Sequence, residues 1–233
     1  MTKIQLPKGL ISGFLNWKES HVHSNLELRF ETKFVTEAEN LDSITRWIRG
    51  HGAGFRKLHP PRKVHNIYFD TFDLRSYGDN LAGISRRIKS RLRWYGSPEL
   101  LLESAALEFK NRSNKMGWKT TYPLENIDLS ASWKKIRRTI LGQIPDEGKL
   151  VFESFPVATI INQYYREYYQ SSGGDLRVTV DRSIKVFDQR NTASPRFRPK
   201  INLPEYAIVE FKFMHDNFTA VGEIIRDFPL RPS

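Results

Sequence analysis

Arg86-Arg87-Ile88-Lys89-Ser90-Arg91-Leu92-Arg93-Trp94-Tyr95 is the stretch whose reading decides the fold. In an extended chain, successive side chains point to opposite faces. The odd positions then carry Arg87, Lys89, Arg91 and Arg93, and the even positions from Ile88 on carry Ile88, Ser90, Leu92 and Trp94. One face is a row of four cations and the other is mostly apolar. Alternation of this kind predicts a strand with two unlike environments.

The same parity recurs outward in both directions. Glu27, Arg29, Glu31 and Lys33 share a face against Leu28, Phe30 and Phe34. Glu108, Lys110 and Arg112 stand against Leu107 and Phe109, and Arg177, Thr179 and Asp181 against Leu176, Val178 and Val180. Glu210 and Lys212 stand against Val209, Phe211 and Phe213, while Lys119 and Arg166 join from two further strands. An open sheet with one wet face accounts for any single strand of this type. It accounts less well for the set, because like charges on neighbouring strands repel. A closed barrel resolves this, with its outer wall packed on helices and its interior holding a polyanion. Carboxylates such as Glu31 and Glu210 among the cations would serve a divalent metal bridging phosphate oxygens.

The expected fold class is therefore α+β, mainly antiparallel β: an eight-stranded barrel with helices packed outside. Strands are predicted at about 26–35, 64–71, 84–95, 101–112, 116–124, 162–170, 175–182 and 206–214. Turn signals fall at Gly96-Ser97-Pro98, Lys115-Met116-Gly117 and Ser171 to Gly174. Helices are predicted over 37–49, with Thr36 and Glu39 as a capping box, over 131–142, over 218–227 after an Asn217 cap, and in a short piece near 10–18. The basic, proline-bearing stretch from Gln189 to Pro204 reads as a long loop.

Composition agrees. Lys and Arg number 37 against 26 Asp and Glu, for a net charge of +11, an excess that attracts polyanions. The absence of cysteine removes disulfides, thiolate metal sites and Cys nucleophiles, and a cytoplasmic location is expected. No apolar run approaches the roughly 20 residues of a membrane helix, so no direct membrane insertion is expected. The histidines, His21, His23, His51, His59, His65 and His215, show no zinc-like spacing and read as surface or loop residues. Trp94, Tyr95, Trp118 and the Tyr164–Tyr169 cluster read as core or wall. Asp70 to Asp73 reads as a turn with local hydrogen bonds, and Arg196, Arg198 and Lys200 as a solvated patch. Binders of single-stranded nucleic acid set aromatics beside their cations; Trp94 lies opposite Arg91 and Arg93, so no nucleic-acid partner is expected.

Seven collinear pieces then carry a resemblance. Arg29-x-Glu31-x-Lys33-Phe34 resembles the first-strand signature of the triphosphate tunnel metalloenzyme (CYTH-like) superfamily, with Arg29 replacing the usual first Glu as in its vacuolar transporter chaperone (VTC) branch. Ile67-Tyr68-Phe69-Asp70-Thr71, Arg91-x-Arg93-Trp94-Tyr95-Gly96, Leu107-Glu108-Phe109-Lys110 with Lys119, Tyr164-x-Arg166, Arg177-x-Thr179-x-Asp181 and Val209-Glu210-Phe211-Lys212 follow in order. The resemblance implies one VTC-like tunnel domain over 1–233, with its core at about 26–228. It implies a metal-dependent polymerase, a transferase making inorganic polyphosphate from ATP, with Mn²⁺ or Mg²⁺ as cofactor.

Carried over by position, Arg29, Lys33, Arg91, Arg93, Lys110, Lys119, Arg166, Arg177 and Lys212 would bind phosphate, joined by Arg87 and Lys89 from the same row. Of these, Lys33, Arg91, Arg93 and Lys110 would act in catalysis with Glu210. Glu210 would be the leading metal ligand, with Glu31 and Glu108 beside it. ATP and inorganic polyphosphate are the expected partners, and the resemblance leaves room for a membrane-protein partner. Departures from the family pattern within the given sequence are a Ser-Lys-Tyr element, an SPX domain and membrane helices not found in residues 1–233, and Thr120-Thr121 after Lys119, where the family is often basic nearby. The competing expectations are a triphosphate or polyphosphate hydrolase of the same superfamily, and a non-catalytic domain that binds polyphosphate or RNA.

Overall fold

A computed structural model describes residues 29–96, 100–113, 116–198, 204–214 and 218–230. The predicted short helix near 10–18, the Asn217 cap, Lys200, His21, His23 and His215 lie outside these residues. Eight strands form: β1 (Arg29–Glu37), β2 (Arg56–Asp70), β3 (Arg86–Tyr95), β4 (Leu101–Ser113), β5 (Met116–Asp128), β6 (Val157–Gln170), β7 (Leu176–Asp188) and β8 (Tyr206–Met214). They make one sheet in the order β1-β8-β7-β6-β2-β3-β4-β5, and every ladder is antiparallel. The helices described are α1 (Leu41–Gly50), α2 (Arg75–Leu81), α3 (Trp133–Leu141), α4 (Asp146–Glu153) and α5 (Phe218–Arg226). Among the described residues no helix is long and apolar enough to cross a membrane.

The sheet is strongly rolled. β1 and β4 are six places apart in the sheet, which at about 4.8 Å per strand would separate them by about 29 Å if it were flat. Yet Lys110 Nζ on β4 lies 3.0 Å from Glu31 Oε2 on β1. Two long side chains cannot bridge a gap of that size, so one face of the sheet curls around a shared interior. The opposite, apolar face looks outward and is buried in two places. Phe34, Val178, Val209, Phe211 and Phe213 pack under α1 and α5, against Ile44, Ile48 and Val221. Ile67, Leu92, Trp94, Leu107 and Phe109 pack under α3 and α4, against Ile136, Ile140 and Phe152. Gly148 allows the close approach of α4, because a Cβ there would meet the Tyr122 ring at 2.9 Å.

Several expectations are corrected. The 37–49 helix begins later, because β1 runs to Glu37 and a 3-10 turn covers Ala38–Asn40. The capping box does not form; the Asn40 amide instead donates to Thr36 Oγ1 at 2.8 Å. β2 starts well before residue 64, pairing with β6 through register shifts around Pro60 and Pro61. Two helices were not anticipated. α2 is capped by Asp70, whose carboxylate accepts from Thr71 N, Ser76 N and Tyr77 N at 2.8–3.1 Å, so the turn reading of that segment holds and a helix follows it. α4 spans eight residues and offers little apolar periodicity. His65 is not a surface residue: it is fully buried, stacked on Trp94 at 5.0 Å, with Nε2 2.9 Å from Gly96 O.

Phe211 is fully buried and meets the rings of Phe34, Trp47 and Phe228. Phe211→Ala should lower unfolding free energy by about 4 kcal/mol through lost transfer and a residual cavity, read as a lower urea midpoint at unchanged slope.

Candidate functional site

The inner face gathers charged side chains from strands that are distant in sequence. On β3, Arg91 donates through Nε to Glu108 Oε2 at 2.7 Å, and its Nη2 lies 2.6 Å from the same oxygen. Lys119 on β5 reaches Glu108 Oε1 at 2.8 Å, and Arg93 Nη1 stands 3.9 Å from Oε2. Arg93 Nε also donates to Asn66 Oδ1 at 2.8 Å and its Nη2 to the Tyr164 hydroxyl at 3.2 Å. The Asn66 amide in turn donates to Asn162 Oδ1 at 2.7 Å. Burial alone would raise the Glu108 carboxyl, but Arg91, Arg93 and Lys119 outweigh it and hold it at about 2.

A second group lies toward β1 and β8. Lys33 stands 3.3 Å from Glu210, Lys212 stands 3.1 Å from Glu210 and 3.7 Å from Glu31, and Lys110 closes on Glu31. The β1–β8 register, with Lys33 opposite Glu210 and Glu31 opposite Lys212, produces these pairs directly. Burial opposes ionisation of Glu210 too, yet Lys212 and Lys33 lower its carboxyl to about 2. Between the groups, Arg166 grips Asp181 with two hydrogen bonds of 2.6 Å.

The cations outnumber the carboxylates, and the surplus is visible at Lys89. Burial lowers its ammonium pKa; Tyr68 pulls the other way, while Lys33, Lys110 and Arg87 lower it further. An anion placed among these groups would relieve that repulsion.

The predicted residues are therefore largely brought together. Lys33, Lys89, Arg91, Arg93, Lys110, Lys119, Arg166, Lys212, Glu31, Glu108 and Glu210 share the interior. Arg87 turns to the backbone, donating to Ile84 O at 2.7 Å. Arg177 is an exposed residue opposite Lys212 in register, and Arg29 stands opposite Met214 at the start of β1. The three predicted metal carboxylates do not form one cluster. Glu31 and Glu210 share Lys212, whereas Glu108 is committed to Arg91 and Lys119. Among the described residues no group of three or more His, Cys, Asp or Glu side chains could hold a metal ion.

Charge-based reading missed the neutral members Asn66, Tyr68 and Asn162. Tyr68 accepts from Arg91 Nη1 at 3.3 Å; burial would raise its phenol, but Arg91, Arg93 and Lys89 push it below its usual value. The signal was present, since Asn66 and Tyr68 share a parity on β2 against Ile67 and Phe69.

Compared with known families, residues 28–231 match the VTC domain. No curated protein matches the chain. Among solved structures, the PH1819 protein of Pyrococcus horikoshii OT3 is similar at 12 % identity and a TM-score of 0.44, covering 87 % of this chain and 92 % of that one. A Vibrio parahaemolyticus protein described provisionally as an adenylate cyclase is similar at 11 % identity and a TM-score of 0.45, over 88 % and 86 %. The Mediator head module of Schizosaccharomyces pombe contains a chain similar at 10 % identity and a TM-score of 0.42, over 88 % and 96 %.

Glu108 and Glu210 titrate near 4.5 unfolded and near 2 folded. Their depressed values contribute stability above pH 4.5 that is lost as pH falls toward 2. Urea midpoints should therefore drop between pH 5 and pH 3, and the drop should shrink in Glu108→Gln. That variant should itself lose about 3 kcal/mol at pH 7, because it strands buried cations. With its match extending over nearly the whole described sequence, the chain belongs to the VTC domain family.

Proposed function

We propose that this domain is a polyphosphate polymerase, transferring the γ-phosphate of ATP to the end of a growing inorganic polyphosphate chain within the cation-lined interior. The observation that carries the reading is the surplus of inward cations, felt most at Lys89, on a chain of the VTC family. Phosphoryl transfer is chiefly a matter of positioning and charge neutralisation. Arg91 and Arg93, held rigid by Glu108, Asn66 and Tyr164, are set to take the equatorial oxygens of the transferring group. Lys33, Lys110 and Lys119 reach further into the open space on longer, more exposed stems.

The terminal phosphate oxygen of the acceptor chain attacks Pγ in line. A new O–P bond forms, the bond from Pγ to the β-bridging oxygen breaks, and its electron pair leaves with ADP. The acceptor is already anionic, so no proton has to be removed. This favours transfer to phosphate over attack by water, because among the described residues Glu31, Glu108, Asp181 and Glu210 are all ion-paired and none stands ready as a base.

Divalent ions on phosphates take one or two carboxylates, the remaining positions going to phosphate oxygens and water. Glu31 and Glu210, both within reach of Lys212, fit that donor set, and Glu108 is better placed to orient Arg91. Mn²⁺ or Mg²⁺ held there would supply positive charge against the phosphate oxygens.

Incubation with ATP and Mn²⁺, followed by gel sizing, should give chains of increasing length and ADP. Orthophosphate as the only product would reject the polymerase in favour of a hydrolase, and binding without turnover would favour an accessory role. Glu210→Gln should abolish synthesis and Arg91→Ala should lower kcat/KM about 100-fold. Arg112→Ala should stay within about threefold of the parent, equivalent to less than 1 kcal/mol.

A further inference from the structure

The cations of the interior differ in what holds them, and Lys89 stands apart from the rest. In the β3–β4 ladder it lies directly opposite Lys110, and like charges facing each other across strands repel. Lys110 is anchored 3.0 Å from Glu31, Lys33 lies 3.3 Å from Glu210, and Arg87 donates to Ile84 O at 2.7 Å. Among the described residues Lys89 has no such partner. Its ammonium instead feels Tyr68 from β2, Lys33 from β1, Lys110 from β4 and Arg87 from its own strand. Half-buried, it also lines a cavity of ≈ 600 Å³ beside α2, together with Leu74, Ile160 and Val186. Small solutes therefore have a way to reach it.

This setting activates an amine. Burial disfavours the ammonium, and so do Lys33, Lys110 and Arg87, against an opposing pull from Tyr68. A larger share of Lys89 therefore carries a free lone pair at neutral pH. Placing a lysine beside other cations is one of the ways an amine nucleophile is made. The same cations concentrate anions around it. A reagent that is both anionic and electrophilic meets both conditions, and acyl phosphates combine a phosphate with a reactive carbonyl in one small molecule. The apolar walls at Leu74, Ile160 and Val186 give a short acyl group a place out of water.

We propose that Lys89 is an acylation site for small acyl phosphates. The amine lone pair attacks the acyl carbonyl carbon. A C–N bond forms, the bond from that carbon to the phosphate oxygen breaks, and its electron pair leaves with phosphate, which takes up the amine proton. The products are an amide on Lys89 and inorganic phosphate. Acylation removes the ammonium charge, which relieves the repulsion with Lys110 and leaves the interior less attractive to anions. The site follows from the charge arrangement alone and stands apart from the polymerase reading. On that reading, acylation is an off-switch.

The whole chain is incubated with acetyl phosphate, and acetylation at each lysine is followed in time by peptide mass spectrometry. Lys89 should react about tenfold faster than the exposed Lys134 and Lys135 on α3. Lys110→Gln, at a half-exposed side chain, removes the facing cation and should slow Lys89 about threefold or more, with Lys134 unchanged. With a neutral acetylating ester the advantage of Lys89 should fall to about threefold, because the attraction for an anion is lost. Equal rates at the three lysines, or no slowing in Lys110→Gln, would overturn the activated amine. An undiminished advantage with the neutral ester would overturn acyl phosphates as the reagent class. Lys89→Gln, which carries a neutral amide, should weaken inorganic tripolyphosphate about tenfold in calorimetric titration, and unchanged affinity would overturn the off-switch. Failure of the parent chain to bind tripolyphosphate would overturn the triphosphate reading and the off-switch with it, while the acylation rates still decide the site.

Discussion

Turning a row of guanidinium and ammonium groups toward the inside of a rolled sheet is unfavourable unless something answers their charge, because desolvation penalises each one. Glu108 is the main answer. One carboxylate, largely buried, receives Arg91 and Lys119 closely and Arg93 at longer range. It ties together three neighbouring strands whose inner faces would otherwise repel. Glu210, with Lys33 and Lys212, does the same for β1 and β8, and Asp181 does it for Arg166 on β6. Without these carboxylates the charged face would have to open to water, and the outer apolar face could not close on its helices in the same geometry.

Compensation is incomplete. The fixed carboxylates neutralise and orient the arginines nearest them, which keeps those guanidinium groups preorganised. They do not reach Lys89, whose neighbours are mostly other cations. The interior therefore sets rigid guanidinium donors beside a lysine crowded by like charges. Neutral groups finish the structure: Asn66 and Tyr164 satisfy Arg93 without cancelling its charge, and Asn162 holds Asn66 in place.

Much of the fold was legible from period-two alternation. All eight strands were found near their predicted places because their outer faces are continuous apolar rows, as in Val209, Phe211 and Phe213. Features that depend on long-range contacts were less accessible. The early part of β2 was hidden by Pro60 and Pro61, which cannot donate to a ladder, yet pairing with β6 carries the strand through them. The Thr36–Glu39 capping box was plausible locally, but pairing with β8 extends β1 to Glu37 and moves the helix start. His65 looked like any scattered histidine until the partner strand placed Trp94 against it. For the site, parity found the cations and most of their carboxylates. It passed over Asn66 and Tyr68 because charge, not orientation, was used as the marker.

Sequence alone determined which side chains share a face, since alternation along a strand is a local property of the backbone. It also determined the sign of the charge on that face. Which way the sheet curls, and which carboxylate meets which cation, was decided only by tertiary structure. Glu31 and Lys110 are far apart in the chain and six strands apart in the sheet, and only rolling brings them to 3.0 Å. The separation of Glu108, paired with Arg91 and Lys119, from Glu31 and Glu210, which share Lys212, has the same origin, because it depends on distances that no spacing in the chain encodes.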